Sequence, residues 1–415
     1  MVRSRPRMTI LAACATAAAL AACSSSDGNP AQPITCRSTT DGGGVLQPFT
    51  APCTDQGSNA ILVTASGETL AFTGYAFPPA PGDITFVDGW AVSFSKVLVT
   101  FDHVKLSLNP DKSPTDQSQT DAVVAQADGP WAVNLSKDDP SFVDGKGGAG
   151  ERAAPITAFT GQNLRGNAAF DPTQRYAFGY EIIPATTSAK NVNLDAADLA
   201  DYQDMIARGY TVLLVGTATF QGSGCTQSAP YDFAALPPVV NIRFGFASPV
   251  TNINCQNPDN DPADPLSGEE HQRGIALRQN QTTVAQATFH ADHVFWENFV
   301  HDSPAHFDQI AAQFVGVPSP TATLEDLASV TNFSTGFTDR NGAALPWRSC
   351  VDANVFPLPT GQMRFDPTPV LANPAAQPQD ALRNLREAVT YGESTMGHLN
   401  SDGLCFVTRN YPSPP

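Results

Sequence analysis

Three alternating runs of apolar residues between positions 90 and 108 constrain the fold more than any other feature of this chain. Apolar residues occupy every second position in the runs 90–94, 97–101 and 104–108. A period of two is the pattern of a half-buried β-strand. The parity changes twice, and each change moves the apolar side chains to the opposite face of a sheet unless a bulge or turn intervenes. We therefore predict strand structure with irregularities at Ser95-Lys96 and Asp102-His103, the second of which turns His103 inward.

Further segments predict the fold class. Strand patterns occupy residues 59–77, 176–183, 210–220 and 239–246, and helical spacing occurs at 194–208, 323–330 and 379–391. We expect a mostly β, sandwich-like fold of antiparallel sheets with helical additions, especially near the C-terminus; an α+β arrangement is the alternative. The expected organisation is a strand-rich domain at 33–290 and a mixed helical and irregular layer at 291–415 packed on it.

The N-terminus has the pattern of a targeting segment. Arg3, Arg5 and Arg7 precede an apolar or small run at 8–20, which is too short to span a bilayer and suits a secretory signal. The run ends at Leu20-Ala21-Ala22-Cys23, which resembles the lipobox of bacterial lipoproteins. The resemblance implies that residues 1–22 are removed and that Cys23 is lipidated. An ordinary cleaved secretory signal is the alternative.

The same resemblance implies a location in the cell envelope. Lipidation at Cys23 would anchor the chain to a membrane, with residues 23–32 as a polar tether. By analogy with other lipoproteins, Ser24 after the cysteine favours the outer membrane, on its periplasmic face or at the cell surface. Removing residues 1–22 leaves 20 basic and 40 acidic side chains. Such an acidic chain repels nucleic acid, so no nucleic-acid partner is expected; an envelope protein partner is left open.

Six cysteines follow the predicted lipidation site, at positions 36, 53, 225, 255, 350 and 405. An even number in an exported chain predicts three disulfides, although six cysteines allow fifteen pairings. Short loop closures favour Cys36–Cys53 and Cys225–Cys255, which leaves Cys350–Cys405. None of the six forms a C-x-x-C motif, so a redox motif lacks support.

Four of the seven histidines lie within a single stretch, HADHVFWENFVHDSPAH, at positions 290, 293, 301 and 306. Imidazole and carboxylate groups together are the ligands that zinc and copper prefer. If Asp292 caps a helix, then His293, Glu297 and His301 share one helical face, and His290 folds over the first turn. If the preceding strand instead continues through Trp296, the stretch is split between two faces.

Other side chains extend this candidate site. Asp292 and Asp302 are expected to orient the imidazoles from behind. A turn at Asp302-Ser303-Pro304 predicts a second helix that carries His306. His398 is a candidate remote ligand if a Cys350–Cys405 disulfide holds its turn in place.

We therefore predict a membrane-anchored envelope lipoprotein that binds a copper or zinc ion through His290, His293, Glu297 and His301. Asp292, His306 and His398 are further candidates. A non-catalytic envelope or surface binding module with structural histidines is the alternative, and a metal-dependent hydrolase is a weaker one. The sequence contains no H-E-x-x-H, G-x-S-x-G or Walker A motif, and catalysis is not predicted. The glycine-rich run 145–150 matches G-x-G-x-x-G by letter, but no helix is predicted after it, so we interpret it as a loop.

Overall fold

A computed structural model describes residues 33–36, 39–80, 86–148, 150–260, 262–264, 269–300, 303–368 and 377–412. Cys23, the predicted signal and tether, and also His301 and Asp302 lie outside these residues. None of the helices in these ranges combines the length and the hydropathy that a membrane span requires. The fold is mostly β, with several antiparallel strand pairs and few helices, as predicted.

The strands, in chain order, are β1 (Ile61–Ser66), β2 (Trp90–Leu108), β3 (Val123–Ala127), β4 (Trp131–Asn134), β5 (Val143–Asp144), β6 (Arg152–Phe159), β7 (Arg175–Ile182), β8 (Lys190–Asn191), β9 (Val212–Phe220), β10 (Thr226–Gln227), β11 (Val239–Phe246), β12 (Val250–Ile253), β13 (Pro262–Asp264), β14 (Glu269–His271), β15 (Ile275–Ala276), β16 (Thr283–Phe289), β17 (Thr321–Thr323), β18 (Arg348–Ser349), β19 (Gly397–Leu399), β20 (Gly403–Leu404) and β21 (Phe406–Arg409). The α-helices are α1 (Glu68–Thr73), α2 (Ala196–Arg208), α3 (Asp308–Ala311), α4 (Leu324–Leu327) and α5 (Leu385–Glu393).

Two large sheets form the body of the described chain. A six-stranded sheet has the order β20-β19-β16-β1-β6-β5, and an eleven-stranded sheet has the path β17-β11-β9-β2-β7-β12-β21 with four further strands beside it. The sheets share one apolar core, in which the ring of Phe289 packs against those of Phe101 and Tyr180. The last strands of the chain are divided between the two sheets. β19 pairs with β16 in the six-stranded sheet, and β21 pairs with β12 in the eleven-stranded sheet.

The long strand β2 contains both predicted irregularities. Its register with β9 shifts between Phe94 and Lys96, and its register with β7 shifts between Asp102 and Lys105. Because each bulge adds a residue to β2, the apolar side chains before and after it face the same core although their sequence positions change from even to odd or back. The inward orientation predicted for His103 is wrong, because its side chain is 39% exposed and its backbone is left-handed, with φ 47°. The bulge breaks the alternation of the strand at this residue, so its side chain is partly exposed and not in the core.

The sheets are mixed and not purely antiparallel. β1 pairs with β16 in parallel, and β17 pairs in parallel with β11. β1 and β16 are more than two hundred residues apart in the chain, so no hairpin pattern in the sequence indicates their pairing. This parallel pair positions the site described below.

The disulfides agree with the sequence prediction at one pair only. Cys36 is bonded to Cys53 as predicted, but the other bonds are Cys225–Cys350 and Cys255–Cys405. The rule of short loop closure is wrong for these four because strand pairing brings distant segments together. β10 pairs with β18, next to Cys225 and Cys350, and β12 pairs with β21, next to Cys255 and Cys405.

The helical predictions are confirmed where capping signals are strong. Asp195 caps α2 through the backbone N–H groups of Ala197 and Asp198, and the helix ends at left-handed Gly209. Near the C-terminus, α5 begins at Leu385, later than predicted, because Asn384 provides its cap. The helix predicted from Ser303 is wrong in position: α3 is a single turn that begins at Asp308.

Candidate functional site

Two side chains of the candidate site follow neighbouring parallel strands. β1 and β16 pair in register from Ile61 with Thr283 to Ser66 with Thr288. Parallel strands end at the same edge of a sheet, so Glu68 and His290, each two residues beyond the last pair, lie side by side. His290 Nε2 is 3.5 Å from Glu68 Oε1.

A third side chain comes from the turn between β19 and β20. In this turn the backbone N–H of Ser401 donates to the Thr288 hydroxyl (3.0 Å), and the Ser401 hydroxyl donates to Glu68 Oε1 (2.7 Å). Ligand atoms of Glu68, His290 and Asp402 lie within 4.8 Å of one another. His290 is buried, Glu68 is half-buried and Asp402 is exposed, so the group extends from the interior to the surface. We call these three residues the His290 site.

Two residues at this site have strained backbones. Glu68 and Ser401 both have left-handed backbones, with φ values of 58° and 78°. This conformation is uncommon for residues other than glycine, asparagine and aspartate, and it persists only where the surrounding contacts impose it. The strain turns both residues toward His290.

The pKa values of His290 and Glu68 are both raised, each by the balance of burial against neighbouring charges. Burial alone lowers the pKa of His290, but the carboxylates of Glu68, Asp292 and Asp402 outweigh burial and raise it. Burial also raises the pKa of Glu68, and attraction to His290 offsets only part of this effect. His290 Nε2 lies 3.1 Å from the carbonyl oxygen of Ser401, which accepts only, so Nε2 carries the hydrogen.

Two more histidine rings surround His290. The ring of His398 is stacked on that of His290 with 4.3 Å between centroids, and the His293 ring lies 5.5 Å from His290 and 5.2 Å from His398. His398 approaches because β19 pairs with β16, which places it opposite Thr288. A Cys350–Cys405 disulfide, the reason expected from the sequence, plays no part. Three of the seven histidines therefore meet in one place.

His293 and Asp292 are fixed by neighbouring side chains. The Thr395 hydroxyl donates to the carbonyl oxygen of Gly392 (2.8 Å), so it accepts from His293 Nδ1 at 2.9 Å. Asp292 accepts hydrogen bonds from the Tyr75 hydroxyl (3.0 Å) and from the indole N–H of Trp296 (2.8 Å). Asp292 does not cap an α-helix as predicted, but its buried charge contributes to the raised pKa of His290.

The glycine-rich run lies against the His290 site. It forms the turn between β5 and β6, and a Cβ atom on Gly147 would lie 2.6 Å from Glu68 Oε1 and 2.9 Å from Glu151 Oε2. The backbone N–H of Lys146 donates to the Gln286 side chain (3.0 Å), which fixes the turn on β16. The turn covers Glu68, and the absence of a side chain on Gly147 permits this close approach.

The helix expected to join the predicted ligands is not formed in the described residues. A 3-10 helix spans only Ala291–Phe295, and Trp296 is already extended. The backbone N–H of Glu297 then donates forward along the chain, to the carbonyl oxygen of Pro304 (3.1 Å), and not to a preceding turn as in a helix. His293 and Glu297 are therefore not on one helical face, and His301 lies outside the described residues.

Glu297 and His306 belong to a second cluster. His306 Nε2 is 2.9 Å from Glu297 Oε2, and Nδ1 is 3.9 Å from Asp88 Oδ2. Asp88 Oδ2 also accepts the backbone N–H of Asp308 at 2.8 Å. Asp308 in turn accepts hydrogen bonds from the Trp90 indole (2.8 Å) and Arg348 Nε (2.9 Å). We call Asp88, Glu297, His306, Asp308 and Arg348 the Asp308 cluster.

Most of the Asp308 cluster is buried and hydrogen-bonded, but the Glu297 side chain is 21% exposed and Asp88 Oδ1 has no hydrogen-bond partner within the described residues. Burial and the neighbouring Asp88 carboxylate raise the pKa of Asp308, against the effect of Arg348 and Trp90. The Arg348 guanidinium is 4.1 Å from the centroid of the Phe220 ring and 4.4 Å from that of Phe233. This arrangement is typical of a structural network, one of the interpretations of the histidines that the sequence left open.

Sequence reasoning missed Glu68 and Asp402. Glu68 carries no motif, and only the end of a predicted strand near Gly67 precedes it. Asp402 lies four residues after His398, in a segment that the sequence did single out. Both residues join His290 through pairings between distant strands.

Comparison with known proteins does not identify a family for this chain. No family model, no curated protein and no solved structure matches the chain.

Proposed function

We propose that this protein binds a divalent transition-metal ion at the His290 site, through Glu68, His290 and Asp402. The convergence of one imidazole and two carboxylates within 4.8 Å is the observation that carries the proposal. This donor set suits zinc and copper(II), the ions predicted from the sequence. His293 and His398 pack around His290 and hold its ring in place, and Asp292 lies behind them.

The burial gradient supports an accessible site. The Asp402 carboxylate is exposed, so an ion has an entry path and retains positions for water or another ligand. His290 supplies a ligand atom from the interior, where its ring is stacked and immobilised. An ion would displace the proton that His290 directs at the Ser401 carbonyl.

The open positions make metal-dependent hydrolysis a second candidate function. Catalytic zinc sites hold the ion through three protein ligands and leave a position for water, and the His290 site offers three. Screening the zinc-loaded protein against ester and phosphoester substrates tests this candidate. Activity that persists after Asp402→Asn and Glu68→Gln would contradict it.

Zinc and copper titration of tag-free protein by calorimetry tests the proposed metal binding. We expect Glu68→Gln and His290→Gln each to remove one bound equivalent, or to weaken it by more than about a hundredfold. His306→Gln is the matched control, because it replaces another buried histidine of the same stretch and should leave binding unchanged. Unchanged stoichiometry and affinity in both Glu68→Gln and His290→Gln would refute the proposal.

The envelope location is a separate part of the proposal. We propose that the chain is anchored through lipidated Cys23, on the strength of the lipobox-like sequence alone. The disulfides Cys36–Cys53, Cys225–Cys350 and Cys255–Cys405 are compatible with an oxidising compartment. A Cys23→Ser variant should leave the membrane fraction; its retention there would contradict lipidation at this position.

A further inference from the structure

A second group of ligand side chains lies on the eleven-stranded sheet, at the bulge in β2. One ligand atom each from Asp102, His103 and Asp128 lies within 4.8 Å of the other two. Asp102 and His103 belong to β2, Asp128 directly follows β3, and β2 and β3 are paired. We propose that these three residues form a second divalent metal site, independent of the His290 site and suited to zinc.

The bulge explains how consecutive residues face one ion. In a regular strand Asp102 and His103 would project to opposite faces of the sheet. The left-handed backbone of His103, with φ 47°, breaks this alternation at the register shift between β2 and β7. Bulges are known to redirect a side chain next to a functional site.

Asp102 provides a buried carboxylate oxygen for the ion. Its side chain is only 8% exposed. Within the described ranges both hydrogen bonds to this carboxylate reach Oδ1, from the backbone N–H groups of His103 (2.7 Å) and Gly129 (2.6 Å). These bonds hold the segments of His103 and Asp128 together. They leave Oδ2 with lone pairs for a cation.

Glu181 on β7 fixes the imidazole in the tautomer that binds metal. Its Oε2 atom lies 3.1 Å from His103 Nδ1 and accepts the hydrogen of that nitrogen. The lone pair is then on Nε2, which is 3.9 Å from Asp128 Oδ1. A carboxylate behind a histidine ligand is the usual arrangement in protein metal sites.

The two nearby lysines make their hydrogen bonds to other atoms than the proposed ligand oxygens, although the Lys190 charge does act on the carboxylates of Asp102 and Asp128. Lys105 Nζ contacts the other oxygen of Glu181 at 2.9 Å, and Lys190 Nζ donates to the backbone carbonyl of Asp128 at 3.0 Å. Gln126 donates to Asp128 Oδ1 at 2.7 Å and orients it. His103 and Asp128 are 39% and 64% exposed, so the site exchanges its ion readily and keeps positions for water.

Zinc titration of the full chain by calorimetry tests this second site. His103→Asn is the preferred variant, because asparagine occupies six of the ten left-handed non-glycine positions in the described chain and tolerates this backbone. We expect His103→Asn and Asp128→Asn each to lose one zinc equivalent. We expect Glu181→Gln, which acts through the histidine, to weaken that equivalent by about 10- to 100-fold.

Two controls separate this result from the His290 site. Asp121→Asn removes an exposed acidic charge elsewhere on the surface and should leave zinc binding unchanged. A Glu68→Gln/His290→Gln double variant should retain the equivalent that His103→Asn removes. If His103→Asn and Asp128→Asn both keep the stoichiometry and affinity of the unmodified chain, on this background as well, the second site is refuted.

Discussion

The His290 site and the Asp308 cluster draw histidines from the same short stretch of sequence, yet their polar atoms have different surroundings. In the Asp308 cluster the carboxylate of Asp308 accepts from Trp90 and Arg348, and Arg348 itself lies between two aromatic rings. In the His290 site a carboxylate, Asp402, is exposed. The residue types are alike, so composition does not separate a structural network from a ligand site. The two sites are distinguished by the hydrogen-bond partners of each carboxylate and by the exposed carboxylate of Asp402.

The largest effect is expected from breaking the Asp308 cluster. Asp308→Ala leaves the Arg348 charge buried without its partner, so we expect the free energy of unfolding to fall by about 3–5 kcal/mol. Urea denaturation measures the change. An Asp308→Ala/Arg348→Met double variant should recover part of the loss, because the lone buried charge is gone. If Asp308→Ala weakens zinc binding at the His290 site in protein that is still folded, the two clusters are not distinct.

One pH effect on stability comes from a buried acid outside both clusters. Burial raises the pKa of Glu393 from 4.5 to about 8. The folded chain keeps this proton while the unfolded chain releases it, so stability falls as the pH rises from about 5 to about 8. Since one proton is worth about 1.4 kcal/mol per pH unit, Glu393→Gln should be more stable than the unmodified chain by up to a few kcal/mol at pH 8.

Urea denaturation at several pH values measures the effect of Glu393. Glu325→Gln, on the exposed side of α4, is the control and should keep the original slope. An unchanged slope in Glu393→Gln would assign the pH dependence to other groups, with the buried histidines of the two clusters the first to examine.

Zinc affinity at the His290 site should rise with pH, whereas the Asp308 cluster should show no metal response. The pKa values of His290 and Glu68 are both raised, so protons compete with the ion at low pH. If one proton is displaced, affinity should increase by about tenfold per pH unit until His290 is neutral. Calorimetry in buffers of different ionisation enthalpy counts the released protons. A pH-independent affinity would argue against His290 as a ligand.

The smallest effect is expected from Gly147→Ala. The added Cβ would contact the ends of Glu68 and Glu151, which are flexible enough to move, so the protein should fold normally. Displacement of Glu68 should weaken zinc binding by less than about tenfold. Gly44→Ala provides a glycine control away from the site, where a Cβ has open space but the left-handed backbone (φ 74°) costs some stability. Equal effects on zinc affinity would show that the turn does not act on the His290 site.

The sequence predicts what is local and misses what strand pairing brings together. Both bulges in β2 and the extent of α2 follow from parity and capping, which neighbouring residues determine. The parallel pairing of β1 with β16 depends on segments far apart in the chain, so the position of Glu68 beside His290 was beyond prediction. The pairing of Cys255 with Cys405 was missed for the same reason. His290, His293 and His398 were identified from the sequence, but not the reason for their proximity.

Anomalous X-ray diffraction from crystals of the zinc-loaded protein tests the central claim most directly. We predict a zinc peak coordinated by Glu68, His290 and Asp402, with ligand distances of about 2.0–2.2 Å. A map in which zinc lies at Glu297 and His306, or in which no zinc contacts His290, would contradict the account.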